Sequence, residues 1–319
     1  MTNKGGDGGM ILISGEALVD LIPDAQQDGR YDAVRGGSPY NVAIGLGRLG
    51  APTAFVSRLS ADANGESLAE ALAAASVGLG LIARDPRPTP LAFVMRGTAQ
   101  SGSRYSFYTD ATAYDGRWPF PSVWPEGARH LHVGSFSAVD PRHGESVVAA
   151  LRMAQGRGTT SFDPNIRPLV TPDRASVAAL VERQVALASV VKASEEDLEW
   201  LYPGRALEDS LANWARLGPM FCVATLGHLG AVAFLGGERL SVPAPRIDVV
   251  DTVGAGDSFM SALLATMNRD GALGANMAAP TRSRLESWLA FAAKASAITC
   301  TRRGSNPPTL SEVEAFLAA

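Results

Sequence analysis

The chain has 319 residues, 46% of them hydrophobic and 19% charged, with a formal net charge of −4. That material suffices for a large core, and the mildly acidic balance without a long Lys/Arg run excludes a general nucleic-acid or anionic-membrane binder. Two cysteines, Cys222 and Cys300, exclude a disulfide framework and lack zinc-site spacing. No apolar run reaches the ~18 residues that cross a bilayer.

Met1 to Gly9 is polar and Gly-rich, with no apolar run before a cleavage site. It reads as a disordered lead-in to a cytoplasmic protein whose one domain spans 10–319. Met10-Ile11-Leu12-Ile13 ends at Ser14-Gly15 and reads as a buried strand. Glu16 and Asp20 are the acids closest to its end, where ligands collect in open α/β sheets; a pair of surface acids is the alternative. Gly36-Gly37-Ser38-Pro39-Tyr40-Asn41 leads into an Ala/Gly-rich helix ending at Gly50, and the Gly36-Gly37 pair lets backbone approach a ligand closely. Gly45, Gly47 and Gly50 spell G-x-G-x-x-G, but they close a helix and the strand Thr53–Val56 comes afterwards, so a dinucleotide site is rejected. A helix is expected over Asn64–Ala75. Leu91–Met95 and Tyr105–Tyr108 read as two strands joined by 96–104. With 22–35, and extending to about 115, they predict a small sheet apart from the main one. It would serve as a lid over a pocket or as an oligomer surface.

From Arg129 the strand–helix alternation resumes. His130 and His132 share one strand face with no third ligand nearby, so no metal site is expected there. A strand from Thr159 ends in Asp163-Pro164-Asn165-Ile166-Arg167-Pro168, a polar cluster that the prolines keep out of any helix. After the strand ending at Ser194, Glu195-Glu196-Asp197 opens a helix, where acids commonly face the dipole. Phe221–Thr225 and Ala231–Phe234 read as a hairpin, and the last long helix as Leu285–Ala297. The alternation implies an α/β fold with a mostly parallel sheet and helices on both faces.

The chain is organised around Asp251-Thr252-Val253-Gly254-Ala255-Gly256-Asp257-Ser258-Phe259. The β-branched run Ile247–Val250 leads in, and Phe259, Leu263, Leu264 and Met267 continue at helical spacing. Glycines at an extended-to-helix turn can aim several backbone N–H groups at one anion. Asp257 at that turn could take a proton from a hydroxyl attacking a phosphate; an ordinary helix cap is the alternative. There is no P-loop, nucleophile elbow or H-E-x-x-H, and only four histidines. The remaining groups fit phosphoryl transfer, which needs chiefly positioning and charge stabilisation.

Asp251–Phe259 resembles the second signature of the ribokinase-like (PfkB) carbohydrate kinases, and Gly36–Ala43 their first. Lys192–Asp197 resembles the segment carrying their N-x-x-E element, and Thr225–Gly230 their nucleotide loop. The four matches keep the family's order over nearly the whole chain. The resemblance implies a three-layer fold with a β lid. It implies that Asp257 is the base and that Gly254, Ala255 and Gly256 form an anion hole. Asp20, Gly36, Gly37 and Asn41 would hold the sugar, and Lys192, Ser194, Thr225, Gly227 and Gly230 would border ATP. Asp251, Val253, Thr301 and Gly304 would surround an activating K⁺, while Mg²⁺ would travel with ATP, assisted by Asp197. A homodimer through the lid would follow.

Leu18 and Ser38 stand where the ribokinase pattern has Asn and Lys, and Gly134 lies near where it has a sugar-binding Glu, so ribose fits poorly. Gly15–Asp20 and Asp163–Pro168 look more like fructokinases, with Arg104, Asn165 and Arg167 as further sugar contacts. Fructose to fructose 6-phosphate is the expected reaction. A 2-keto-3-deoxygluconate kinase, another sugar or nucleoside kinase and a non-catalytic sugar sensor are the alternatives.

Overall fold

Ile11 and Ile13 point to one side of the first strand and Leu12 to the other, and all three are buried. A strand covered on both faces is what a parallel sheet between helical layers demands. The computed structural model describes residues 9–24, 27–95 and 104–318. In chain order, β1 (Met10–Ser14) precedes β2 (Leu18–Pro23), β3 (Tyr31–Gly36), α1 (Ser38–Arg48), β4 (Thr53–Ser60) and α2 (Ala63–Ala74). Short strands β5 (Val77–Gly78) and β6 (Ile82–Asp85) lead to β7 (Leu91–Met95), β8 (Arg104–Tyr108) and a 3-10 turn at Ala113–Asp115. Then come β9 (Ala128–Gly134), α3 (Ser135–Val139), α4 (Gly144–Ala154), β10 (Thr159–Asp163), α5 (Arg174–Val185), β11 (Val190–Ser194), α6 (Glu195–Leu201) and α7 (Leu207–Leu217). The chain closes with β12 (Phe221–Thr225), β13 (Ala231–Leu235), β14 (Glu238–Val242), α8 (Ala255–Arg269), α9 (Arg282–Cys300) and α10 (Leu310–Ala318).

The main sheet runs β14-β13-β12-β11-β10-β9-β1-β4-β5, with β6 also on β4. Pairing is parallel except along β12-β13-β14, which is antiparallel. Ile11 and Ile13 pack with Val42, Leu46, Phe259, Leu263 and Trp288 on one face. Leu12 packs with Val147, Leu151, Val181 and Trp214 on the other. The chain leaves β1 toward β4 on one side and returns as β9 on the other, so a crevice opens at the carboxyl end of β1.

Gly45 and Gly47 on α1 are packing devices. A Cβ at Gly45 would lie 2.4 Å from Ser261 Oγ, and one at Gly47 would lie 1.9 Å from Ala75 O. Both glycines let α1 approach its neighbours.

The small sheet has the order β3-β2-β7-β8. It begins at Leu18, earlier than the expected residue 22, and its last strand ends at Tyr108, short of 115. Asp20 is therefore a residue of this sheet, paired with Val34 and Ala92. The connection 96–103 and the lead-in 1–8 lie outside the described residues. Ile247–Val250, the run leading into the glycine turn, joins no sheet: Val249 and Val250 are exposed, and Val250 N donates to Cys300 O at 2.8 Å. The helix expected over 285–297 extends over Arg282–Cys300, because Thr281 caps it by accepting from Arg284 N. The shorter α10 follows it.

Candidate active site

The first turns of α1 and α8 meet at Asp257. Gly254 caps α8 with φ 76, a left-handed conformation that glycine adopts without strain. Asp257 falls in the first turn and is buried. Its Oδ1 accepts from Ser38 Oγ at 2.6 Å and its Oδ2 from Asn41 Nδ2 at 2.9 Å. Ser38 and Asn41 are three residues apart and share a helix face. Burial raises the proton affinity of Asp257; the hydrogen bonds from Ser38 and Asn41 and the charges of Lys192 and Arg167 oppose that rise.

Gly36 and Gly37 let two further acids approach. A Cβ at Gly36 would lie 2.2 Å from Asp20 Oδ2, and one at Gly37 would lie 2.6 Å from Glu16 O. Gly37 also has φ 106. Burial pushes Asp20 up to about 6, against the Arg167 charge and with the help of Asp257 and Glu16. Glu16 is no surface acid: it is 2% exposed, and both its carboxyl oxygens are buried without a hydrogen-bond partner. Burial raises its proton affinity, only partly offset by the hydroxyls of Ser137 and Ser135. Ser137 Oγ is itself committed to Gly134 O at 3.1 Å.

Beyond β10, Asn165 has φ 37, a conformation that asparagine tolerates better than most residues. Arg167 Nη1 donates to Asn165 Oδ1 at 2.8 Å and to Ile166 O at 3.0 Å. Its charge acts on Glu16, Asp20 and Asp257 together. Ser194 and Asp197 form a capping box at the start of α6. Asp197 Oδ2 accepts from Ser194 N at 2.9 Å and Oδ1 from Ile166 N at 2.7 Å, so both oxygens hold backbone. Lys192 is buried and paired with Asp163 at 2.6 Å, and its Nζ lies 3.4 Å from where a Cβ on Gly256 would be.

Thr225 ends β12, and Gly227 and Gly230 shape the following turn with φ 54 and 102. Asp251 Oδ1 accepts from Val253 N at 3.0 Å and Oδ2 from Gly304 N at 2.8 Å, tying the approach to α8 to the loop after α9. Thr301 caps α9 in the same loop. Arg104 lies on β8, and its side chain is outside the described residues. His130 and His132 are buried on hydroxyls, His130 on Thr159 and Ser161 and His132 on Ser161.

The structure thus brings together Asp257, Asn41, Asp20, Gly36, Gly37, Asn165 and Arg167. It adds Ser38, to which the sequence reading assigned no role, and Glu16 and Asp163, which that reading placed at strand ends without a specific contact. Ser38 was legible in principle, one helical turn before Asn41. A cavity of about 620 Å³ lined by Val19, Val34, Asn41 and Ser305 adjoins α1; a larger one of about 880 Å³, lined by Arg129, Asp270 and Trp288, lies away from these acids.

A polar crevice with one carboxylate at a glycine-opened helix N-terminus suits proton removal beside a bound anion. Comparison with known proteins agrees. The model for the pfkB family carbohydrate kinases matches residues 9–312. The chain is 37% identical over 269 residues to a fructokinase of Rhizobium leguminosarum bv. trifolii, covering 83% of this chain and 81% of that protein. It is 30% identical over 299 residues to a fructokinase of Klebsiella pneumoniae, covering 93% and 95%. Among solved structures, fructokinase from Xylella fastidiosa with bound ATP superposes with a TM-score of 0.88 at 29% identity, over 97% of this chain and 98% of that one. Fructokinase from Vibrio cholerae O395 bound to fructose, ADP and calcium gives 0.83 at 28%, over 98% and 100%. With its fold, its Asp257 site and these matches in accord, the chain belongs to the pfkB family of carbohydrate kinases.

Proposed function

We propose that this kinase transfers the γ-phosphate of ATP to fructose, giving fructose 6-phosphate. The observation that carries the reading is the buried Asp257 carboxylate, held by Ser38 and Asn41 at the first turn of α8. The sugar oxygen forms a bond to the γ-phosphorus while the bond from that phosphorus to the β,γ-bridging oxygen breaks. The hydroxyl proton passes to Asp257, and ADP leaves with the bridging oxygen. The N–H groups of Gly254, Ala255 and Gly256 face the transferring group. Asp20, Asn41, Asn165, Arg167 and the Gly36-Gly37 backbone hold the sugar, with Arg104 from the small sheet. Ser194, Thr225, Gly227 and Gly230 border the nucleotide. Mg²⁺ would come with ATP and neutralise its phosphates. Asp197, whose oxygens each accept from one backbone amide, would assist that ion through its waters. The oxygen-rich loop of Asp251, Val253, Thr301 and Gly304 fits a monovalent cation such as K⁺, which would hold that loop in shape.

An ADP-release assay across fructose, tagatose, ribose, 2-keto-3-deoxygluconate and adenosine tests the assignment. Fructose should turn over fastest; activity confined to the keto acid or the nucleoside would refute it. Arg167 favours the keto acid as a second reading, but its charge already faces Glu16, Asp20 and Asp257, which would repel a substrate carboxylate.

Ser38→Ala removes one hydrogen bond that holds the Asp257 proton affinity down. A base works ionised, and a raised pKa means it is lost earlier as pH falls. The acid limb of kcat should therefore move to higher pH, measured as a pH–rate profile. An unmoved limb would show that Asp257 does not set it.

Tyr31, Phe93 and Tyr108 stack edge to face on the small sheet, with centroids 5.6 and 5.4 Å apart. Tyr31 and Tyr108 are exposed. We place a homodimer contact on this face; sedimentation should give a dimer that Tyr108→Asp converts to monomer, and a wild-type monomer would dismiss it. No helix among the described residues is long and apolar enough to cross a membrane, which is compatible with the cytoplasmic site we assign.

A further inference from the structure

The cavity of about 880 Å³ opens at the far end of the main sheet from Asp257, where β9 begins. Its walls include the loop 270–281 that joins α8 to α9. The volume falls in the range of about 300–1,000 Å³ that small-molecule sites occupy. Arg129, Arg157 and Arg284 line it, and Asp270 is the one acid among the lining residues. That acid is already engaged: Asp270 Oδ2 accepts from Trp288 Nε1 at 2.8 Å and from Arg284 Nε at 3.3 Å. Arg157 Nη1 donates to a neutral carbonyl, Met153 O, at 2.7 Å. Among the described residues no carboxylate pairs with Arg129 or Arg157.

Two guanidiniums without counter-ions, at one cavity of a chain whose net charge is −4, favour an anion there. Their planar forks suit phosphate oxygens. Thr281 and Ser283, at the start of α9, bring a helix N-terminus to the same wall. Leu273 and Met277 add apolar surface that a bare ion would not use. An independent feature ties this end of the sheet to the other. Gly274 lines the cavity beside Arg129, and its N donates to Thr159 Oγ1 at 3.3 Å. From there a column of buried side chains runs along β9 and β10. Thr159 Oγ1 bonds His130 Nδ1 at 2.8 Å, His130 Nε2 bonds Ser161 Oγ at 2.7 Å, and Ser161 Oγ bonds His132 Nδ1 at 2.9 Å. The same strands end at Gly134 and Asp163, beside the catalytic crevice. A contiguous buried network of this kind can pass a shift in the loop to the strand ends.

We propose that this cavity is an effector site for a phosphate ester gripped by Arg129 and Arg157, and that the column from Gly274 through Thr159, His130 and Ser161 to His132 carries its occupancy to the crevice. The phosphate supplies the counter-charge that the two guanidiniums lack. The organic body covers Leu273 and Met277. A sugar phosphate and a nucleotide share that chemistry. The rate response rests on the kinase reading, whereas the binding does not.

The test titrates glucose 6-phosphate, AMP and inorganic phosphate into the protein by calorimetry, with Mg²⁺ and saturating ADP present to fill the nucleotide part of the crevice. Wild type should bind one of the two esters more tightly than inorganic phosphate, and which one names the source. Arg129→Ala/Arg157→Ala should weaken that binding by about tenfold or more and leave kcat without the ester unchanged. The ester should change kcat or KM of wild type by about fivefold or more, and not those of the double variant. Ser161→Ala, which cuts the column between the two imidazoles, should bind the ester and lose the rate response. Should that variant fail to fold, the double variant, altered only at exposed side chains, still decides. Wild type that binds neither ester, binding that survives the double variant, or a bound ester that leaves the rate unchanged would overturn the proposal. So would a full rate response in Ser161→Ala. Wild type that phosphorylates no sugar would sink the kinase reading, and the calorimetry would still judge the site.

Discussion

Asp257→Asn is expected to lower kcat by about 10²–10⁴-fold while ATP binding persists. The substitution keeps the shape of the side chain and still offers Ser38 an acceptor oxygen, now as an amide. It removes the capacity to take a proton, and it keeps the contact with Asn41 once the Asn41 amide turns its oxygen toward the new NH2. Because Asp257 is buried and burial raises its proton affinity, its charge is held at a cost to folding. The variant should therefore melt no lower than wild type, and an activity collapse without a stability loss separates a base from a helix cap. Single-turnover kinetics with calorimetric ATP binding make the comparison. Near-full kcat would return Asp257 to a capping role.

Gly254→Ala should be the other large effect, for a different reason. The residue has φ 76, where an L side chain costs about 1–2 kcal/mol. Its Cβ would also lie 2.2 Å from Ser305 Oγ and 2.9 Å from Ser305 Cα. The hydroxyl can rotate away, but the Cα cannot, so the turn must move. Its amides would then miss the positions where phosphoryl charge develops, and kcat should fall about 10²-fold. Gly50→Ala is the matched control: φ there is 77, with nothing within 4 Å of the added Cβ. It should lose comparable stability in urea unfolding and keep its kcat. Equal kcat losses in both variants would mean that the Gly254 effect is global weakening.

What the sequence disclosed follows from how local each signal is. Ile11-Leu12-Ile13 declares a doubly covered strand because side chains alternate at period two. Asp251–Phe259 declares its turn because two glycines and a helical stripe lie within one short stretch. Ile247–Val250 leads into that turn outside any sheet, with Val250 N donating to Cys300 O. Glu16 could not be resolved from sequence, since the hydroxyls acting on its buried carboxyl, Ser135 and Ser137, come from α3, far along the chain. The Lys192–Asp163 pairing was invisible because the two residues lie on different strands. Only the β10–β11 register brings them together. Ser38 looked like a mere departure from a ribokinase pattern, until the meeting of α1 with α8 placed its hydroxyl on Asp257.

The central claim is that Asp257 drives phosphoryl transfer to fructose. Phosphorus NMR of the protein incubated with ATP, Mg²⁺ and fructose tests it most directly. The account predicts a phosphate monoester on the sugar's O6, formed one for one with ADP by wild type and absent with Asp257→Asn. ADP and inorganic phosphate with no sugar ester, or an ester formed equally well by the variant, would contradict it.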